Sequence, residues 1–251
     1  MEIKELLEIS YKKYNHPSFI ALDPISIPHG FELKEDIEIS GFLAATIAWG
    51  QRTTIVKNAS EIMKLMSHQP YRFVIECTEK DLKVFEGFVH RTFNTVDLCT
   101  FIFALKNIYQ QYGGMEKVFA EGFTKGGMNY AIAHFRDVFF RMPHQKRTRK
   151  HVSDPLSGSS AKRINMFLRW MVRKDDMGVD LGIWQSFRAN QLICPLDTHS
   201  GRVARKLGLL SRKQNDWKAA EELTQNLRIL DKSDPVKYDF ALFGLGVFEK
   251  F

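Results

Sequence analysis

At 251 residues, 44% hydrophobic and 26% charged, the chain can bury a substantial core as one large domain or two small lobes. No apolar run reaches bilayer-spanning length, and the opening MEIKELLEISYKKYN is amphipathic and acid-containing, with no signal core, so an integral membrane protein is excluded and a cytoplasmic protein is expected. A formal charge of +7 favours polyanionic partners, while Cys77, Cys99 and Cys194 are too few and too scattered for a disulfide framework, a clustered metal site or a four-cysteine iron-sulfur cluster.

Ile3, Leu6, Leu7, Ile9 and Tyr11, set among charges, predict an opening helix over 2–14. Prolines 17, 24 and 28 then exclude a long helix, leaving a loop or extended lead-in. Residues 36–49 predict a helix that is apolar on most sides in its second half, and Thr53 or Thr54 is placed to cap a second one carrying Ile55, Val56, Ala59, Ile62, Met63 and Met66. Between them Gln51 and Arg52 occupy a tight junction, which is either a simple turn or a rigid platform for a DNA-reading side chain.

Short helices are expected around 70–77 and 79–85, followed by Gly87-Phe88-Val89-His90-Arg91-Thr92-Phe93. There His90 and Arg91 are candidates for phosphate contact, although a histidine between aromatics also suits a structural role. Thr95 or Asp97 is placed to cap a long helix, 98–112, that Gly113-Gly114 ends. A further helix follows Gly126-Gly127 and stops by Pro143. The segment 144–151 after it is the densest basic run in the chain, with Lys146, Arg147, Arg149 and Lys150 as candidate backbone-phosphate contacts.

Next comes Asp154-Pro155-Leu156-Ser157-Gly158-Ser159-Ser160-Ala161-Lys162, a small-residue hairpin leading into a helix that bears Ile164, Phe167, Leu168 and Met171. Backbone N–H groups of Ser157, Gly158, Ser159 and Ser160 are candidates for a phosphate. Lys162 falls in the first helical turn, where it is either an ordinary surface lysine or, because the helix dipole and neighbouring Arg163 both disfavour a further positive charge, a nucleophilic amine. A short packed helix is expected around 181–187. Cys194-Pro195-Leu196-Asp197-Thr198-His199 then delivers good N-cap residues to a helix closed by Gly208, with Arg202, Arg205 and Lys206 off its buried face. Helices over 216–227 and from Pro235 onward complete an all-α pattern with neither sustained period-two alternation nor repeats.

The Leu196-Asp197-Thr198-His199 stretch with Arg202, Val203 and Arg205 resembles the catalytic-aspartate segment of the helix-hairpin-helix DNA glycosylase superfamily, which includes endonuclease III and the 8-oxoguanine glycosylases. Ala48-Trp49-Gly50-Gln51 is similar to that family's early helix junction, Phe88 to Gly114 to its next helix, and Ser157 to Trp170 to its hairpin and second helix. Over its full length the chain also resembles a bacterial family of the same descent.

The resemblance implies a two-lobed all-α fold with the active site between the lobes: one lobe over 41–170, ending in the hairpin, and another formed by 1–40 plus 171–251. It implies Lys162 as a Schiff-base nucleophile and Asp197 as the essential carboxylate, acting on damaged double-stranded DNA without a cofactor, a metal or an iron-sulfur cluster. Gln51, Arg52, His90, Arg91, the basic run, the hairpin, His199 and Arg202 would then contact DNA. Two departures bear on this. The hairpin reads Leu156-Ser157-Gly158-Ser159-Ser160 where the family has a Leu-Pro-Gly-Val-Gly type, and Lys162 and Asp197 are 35 positions apart, more than in endonuclease III, which leaves Lys174 as an alternative nucleophile. The other reading is a non-catalytic nucleic-acid-binding protein that keeps the fold.

Overall fold

The computed structural model describes residues 2–251 and is mostly helical. The chain divides into two compact units: a continuous one, Ala21–Ser153, and a discontinuous one that joins the chain up to Ile20 with Asp154–Phe251. These boundaries differ from the expected 41–170 and 1–40 plus 171–251. Residues 21–40 stay with the continuous unit because Pro24 and Pro28 each start a 3₁₀ turn that packs on the next helix, and the hairpin falls in the discontinuous one.

Helix α1 (Ile3–Tyr14) opens the discontinuous unit. In the continuous unit, α2 (Lys34–Thr46) is buried at every position from Ile37 to its end and is the central helix. Helix α3 (Arg52–Leu65) begins one or two residues before the expected cap; Gln51 holds the N-cap position, and Thr53 and Thr54 lie inside the first turn. Helix α4 (Pro70–Glu76) follows, while 79–85 yields only a 3₁₀ turn, Asp81–Phe85. A two-stranded hairpin, β1 (Val89–His90) against β2 (Phe93–Asn94), is too short to show alternation in sequence.

Helix α5 (Thr95–Gln111) is capped by Asn94, not by Thr95 or Asp97. The Asn94 side chain accepts from the Val96 and Asp97 N–H groups, and the Asp97 carboxylate returns to the Asn94 N–H. Helix α6 (Met115–Phe123), unmarked in the sequence reading, crosses closely onto α7 (Met128–Phe139) at Gly122, where a Cβ would come 2.6 Å from the His134 Cβ. Phe42 packs against Phe101, Phe135 and Phe139, and Phe119 stacks on Phe135 at 4.2 Å. Each such buried ring contributes about 1.5–3 kcal/mol by removal from water, and truncating Phe135 to alanine would cost about 3–5 kcal/mol.

The discontinuous unit continues with α8 (Lys162–Val172), α9 (Thr198–Lys206), α10 (Trp217–Leu230) and α11 (Tyr238–Val247). Pro235 starts a 3₁₀ turn before α11 rather than the helix itself. The expected helix around 181–187 does not form. Gly178 and Gly182 take positive φ, and the extended segment donates Leu181 and Gly182 N–H to the Trp170 carbonyl and Trp184 N–H to that of Met171, so it caps the end of α8. Helix α1 lies on α11, with the Tyr14 ring against Gly244, where any Cβ would fall 2.0 Å from the ring. No helix among the described residues is long and apolar enough to cross a membrane.

Candidate functional site

Lys162 and Asp197 meet in the discontinuous unit, with Lys162 Nζ 3.5 Å from Asp197 Oδ2. Both side chains are about 30% exposed, so the pair is held yet accessible. Each sits at a helix start. Asp197 is the N-cap of α9: its Oδ1 accepts from the His199 and Ser200 N–H groups at 2.8 and 3.0 Å, and the Ser200 hydroxyl returns to the Asp197 N–H at 2.9 Å. One carboxylate oxygen is thus committed to the cap, while the other faces the amine. Burial works against ionisation of Asp197, but the Lys162 charge and the two backbone donors outweigh it and hold its carboxyl below the usual range.

Lys162 is the first residue of α8 and is aimed by Ala161, which adopts a left-handed conformation (φ +48°) while fully buried. For a residue with a Cβ this costs about 1–2 kcal/mol, and the Ser159 hydroxyl, which accepts from the Ala161 N–H, helps to hold it. Lys174, the alternative nucleophile, is exposed beyond the C-terminal end of α8 and makes no ion pair with Asp197.

Behind the pair lies a buried charge network. Arg169, two turns beyond Lys162 on α8, reaches Asp180 at 3.1 Å and hydrogen-bonds Asp239 in the first turn of α11. Arg173 binds Asp180 at 3.0 Å, Asp234 at 2.8 Å, and Asp175 and the Tyr11 hydroxyl each at 2.7 Å. Burial pushes the Asp239 carboxyl up to about 6 despite the opposing charges of Arg169 and Lys162, with Asp197 and Asp180 adding to the upward shift. Burial likewise raises the Cys194 thiol, which makes it an inert core group.

The hairpin differs from expectation in its donors. Leu156 and Ser157 N–H groups donate to the Asp154 carboxylate, Gly158 N–H to the Pro155 carbonyl and Ser159 N–H to the Asp154 carbonyl. The amides of Ser157, Gly158 and Ser159 are therefore satisfied internally, and the Ser160 hydroxyl donates to the Leu196 carbonyl at 3.3 Å. That last bond ties the hairpin to the strand-like approach to Asp197. His199 is exposed beside the cap, and Arg202 reaches the Gly246 carbonyl at 2.9 Å.

In the continuous unit the junction and the β hairpin come together. Gln51 is exposed at the start of α3, with the half-buried Arg52 following it. The Arg91 guanidinium lies over Gly50, where a Cβ would be 2.9 Å from Nη1, and the φ of +110° at Gly50 is one that favours glycine. His90 turns inward instead: it is 2% exposed, donates from Nε2 to the Trp49 carbonyl at 3.1 Å and accepts at Nδ1 from Asn58 at 2.9 Å. This corrects the reading of His90 as a phosphate contact.

The basic run is organised by Asp97, which is fully buried. Its carboxylate takes Arg147 Nη1 and the Thr148 hydroxyl, both at 2.7 Å, with His151 Nε2 at 3.4 Å. Arg147 also reaches the Thr92 carbonyl, so it serves first as a tether between the run and the hairpin. Arg149 covers the Phe140 ring at 5.1 Å. Lys146 and Lys150 remain exposed at the surface. No group of three or more His, Cys, Asp or Glu side chains among the described residues is arranged to hold a metal ion.

The chain belongs to the DUF2400 family, described as proteins of unknown function, whose pattern matches residues 23–248 and so takes in both helix starts of the pair. No curated protein and no solved structure matches the chain.

Proposed function

We propose that the protein is a base-excision DNA glycosylase with a helix-hairpin-helix glycosylase-like two-lobed fold, in which Lys162 is the nucleophile and Asp197 the essential carboxylate. The observation that carries this reading is the 3.5 Å approach of Lys162 to Asp197, two residues 35 positions apart that the resemblance singles out independently. An accessible amine beside an oriented carboxylate at paired helix starts suits attack on an electrophilic sugar carbon.

The damaged nucleotide is extruded from the duplex at a cost of a few kcal/mol. Once its ammonium proton has passed to water, the Lys162 amine forms a bond to the anomeric carbon as the glycosidic bond breaks, that bond's electron pair leaving with the base, which takes up a proton. As the C1′–O4′ bond breaks and the sugar ring opens, a proton passes from the amine nitrogen to O4′, leaving a protonated imine. Elimination of the 3′ phosphate from that imine cuts the strand. A carboxylate held below its usual range is a weak proton acceptor, so Asp197 acts mainly by stabilising positive charge as it develops on the sugar. On this reading the exposed Gln51 and Arg91 contact the DNA, and the exposed Lys146 and Lys150 its phosphates.

Borohydride trapping on duplexes carrying 8-oxoguanine, an oxidised pyrimidine, uracil or an abasic site tests the assignment. A covalent adduct is expected with at least one substrate, lost in Lys162→Ala and kept in Lys174→Ala. An adduct that survives Lys162→Ala removes this lysine from the mechanism. Duplex binding with neither an adduct nor release of a base from any substrate leaves a non-catalytic binding protein.

A further inference from the structure

The connection between α9 and α10 carries a feature that the sequence reading passed over. Residues 211–218 surround an open depression of about 560 Å³ lined by Ser211, Arg212, Lys213, Gln214, Lys218 and Glu222. Its acids are already engaged: Glu222 accepts from the Ser211 N–H and hydroxyl, both at 2.6 Å, and Asp216 accepts from Arg212 Nε at 2.7 Å. Lys213 and Lys218 are exposed and form no ion pair among the described residues; with Arg212 paired to Asp216 and Glu222 as the other acid, the depression keeps a small net positive charge.

Its position gives that charge a use. Ser159 and Asp216 form an antiparallel bridge, and the Trp217 N–H donates to the Gly158 carbonyl at 3.1 Å, so the loop lies along the hairpin. On its other side Asn215 Nδ2 donates to the Asp197 carbonyl at 3.0 Å. Arg205 fixes that asparagine from behind, donating to Asn215 Oδ1 at 2.6 Å and to the Arg212 carbonyl at 2.8 Å. Gly201 makes the approach possible, since a Cβ there would stand 2.8 Å from Asn215 Oδ1. The hairpin amides of Ser157, Gly158 and Ser159 are internally satisfied, so the free cations on this face are those of the neighbouring loop.

We infer that the loop 211–216 and the first turn of α10 form a backbone-phosphate contact for duplex DNA, with Lys213 and Lys218 gripping the strand beside the hairpin and Asn215 tying the loop to Asp197. This rests on the base-excision reading, which supplies the polyanion and its path past Asp197. The contact is sequence-blind and follows the rule that each phosphate neutralised releases condensed counterions.

The test is fluorescence anisotropy with a duplex bearing a stable abasic-site analogue, read across a range of NaCl concentrations. Lys213→Ala/Lys218→Ala should flatten the slope of log K against log salt by about 2 and weaken binding on the order of tenfold near 0.1 M salt. Lys4→Ala/Lys12→Ala, which removes the same charge from exposed positions of α1, should change the slope by far less. An unchanged slope in the loop variant, or an equal change in the α1 control, overturns the inference while leaving trapping by the unaltered chain intact. Failure of the unaltered chain to bind duplex DNA overturns the base-excision reading, and this inference with it.

Discussion

Asp197 has two jobs that substitution can separate. Alanine removes the acceptor for the His199 and Ser200 N–H groups and also the charge opposite Lys162. Loss of such a cap costs about 1 kcal/mol, and a partly exposed ion pair adds roughly 0.2–1 kcal/mol, for a total of about 1–2 kcal/mol. At about 2–4 °C per kcal/mol for a chain of this size, Asp197→Ala should lower the melting temperature by roughly 2–8 °C. Asparagine is an equally good N-cap, so Asp197→Asn should lose only the pair and melt within about 4 °C of the unaltered chain. Chemistry should order the variants differently: both lack the charge, so borohydride trapping under single-turnover conditions should slow by about a hundredfold or more in each. Thermal unfolding followed by circular dichroism, run beside the trapping assay, measures both quantities. Trapping by Asp197→Asn at the unaltered rate would refute the assigned role, and equal melting of the two variants would refute the capping arithmetic.

Asp239 offers a pH test. Its carboxyl, raised from 3.8 to about 6, makes a contribution to stability that is fully present below the unfolded value and is lost as pH rises through about 6. Urea unfolding at pH 4 and pH 7 should therefore show the unaltered chain gaining on Asp239→Asn by up to roughly 3 kcal/mol at the lower pH, and a constant difference would show that Asp239 titrates normally. Asp97→Ala strands Arg147, Thr148 and His151 around a vacated buried site and should cost about 3–5 kcal/mol, read as a fall in the urea midpoint; a loss below about 1 kcal/mol would mean that the basic run does not depend on it. Gly201→Ala should push Asn215 off the Asp197 carbonyl and slow trapping with little change in the salt slope, whereas an unaltered trapping rate would show that the cap does not need this brace.

Much of the site was legible because it is local. Asp197 announces its cap through Asp-Thr-His-Ser, and Gly208 closes the same helix at φ +69°. The element order followed from apolar spacing and from prolines that start or stop turns. What escaped depends on distant partners. The 181–187 segment has helical-looking spacing, yet its N–H groups are claimed by the end of α8. His90 reads as a surface cation until Asn58 and the Trp49 carbonyl are seen to hold both ring nitrogens. Arg147 belongs to a basic run by composition but to Asp97 by contact. The α9–α10 loop was passed over because its tie to Asp197 runs through an asparagine amide and the absence of one Cβ at Gly201. Helix α6 does carry a local signal, the helical spacing of its buried Met115, Val118, Phe119 and Gly122.

The way α1 is held fixes an order of events during synthesis. Its Tyr11 hydroxyl donates to Asp175, its Glu8 accepts from Tyr238, and its Lys13 reaches Glu249, so α1 is made well before the segments that hold it. Ala21–Ser153, continuous in sequence, has its own aromatic core and can assemble while α1 waits. Lys162 and Asp197 are thus brought to their final environment only after α11 has emerged, and a chain interrupted before Tyr238 would carry both residues without the buried network behind them.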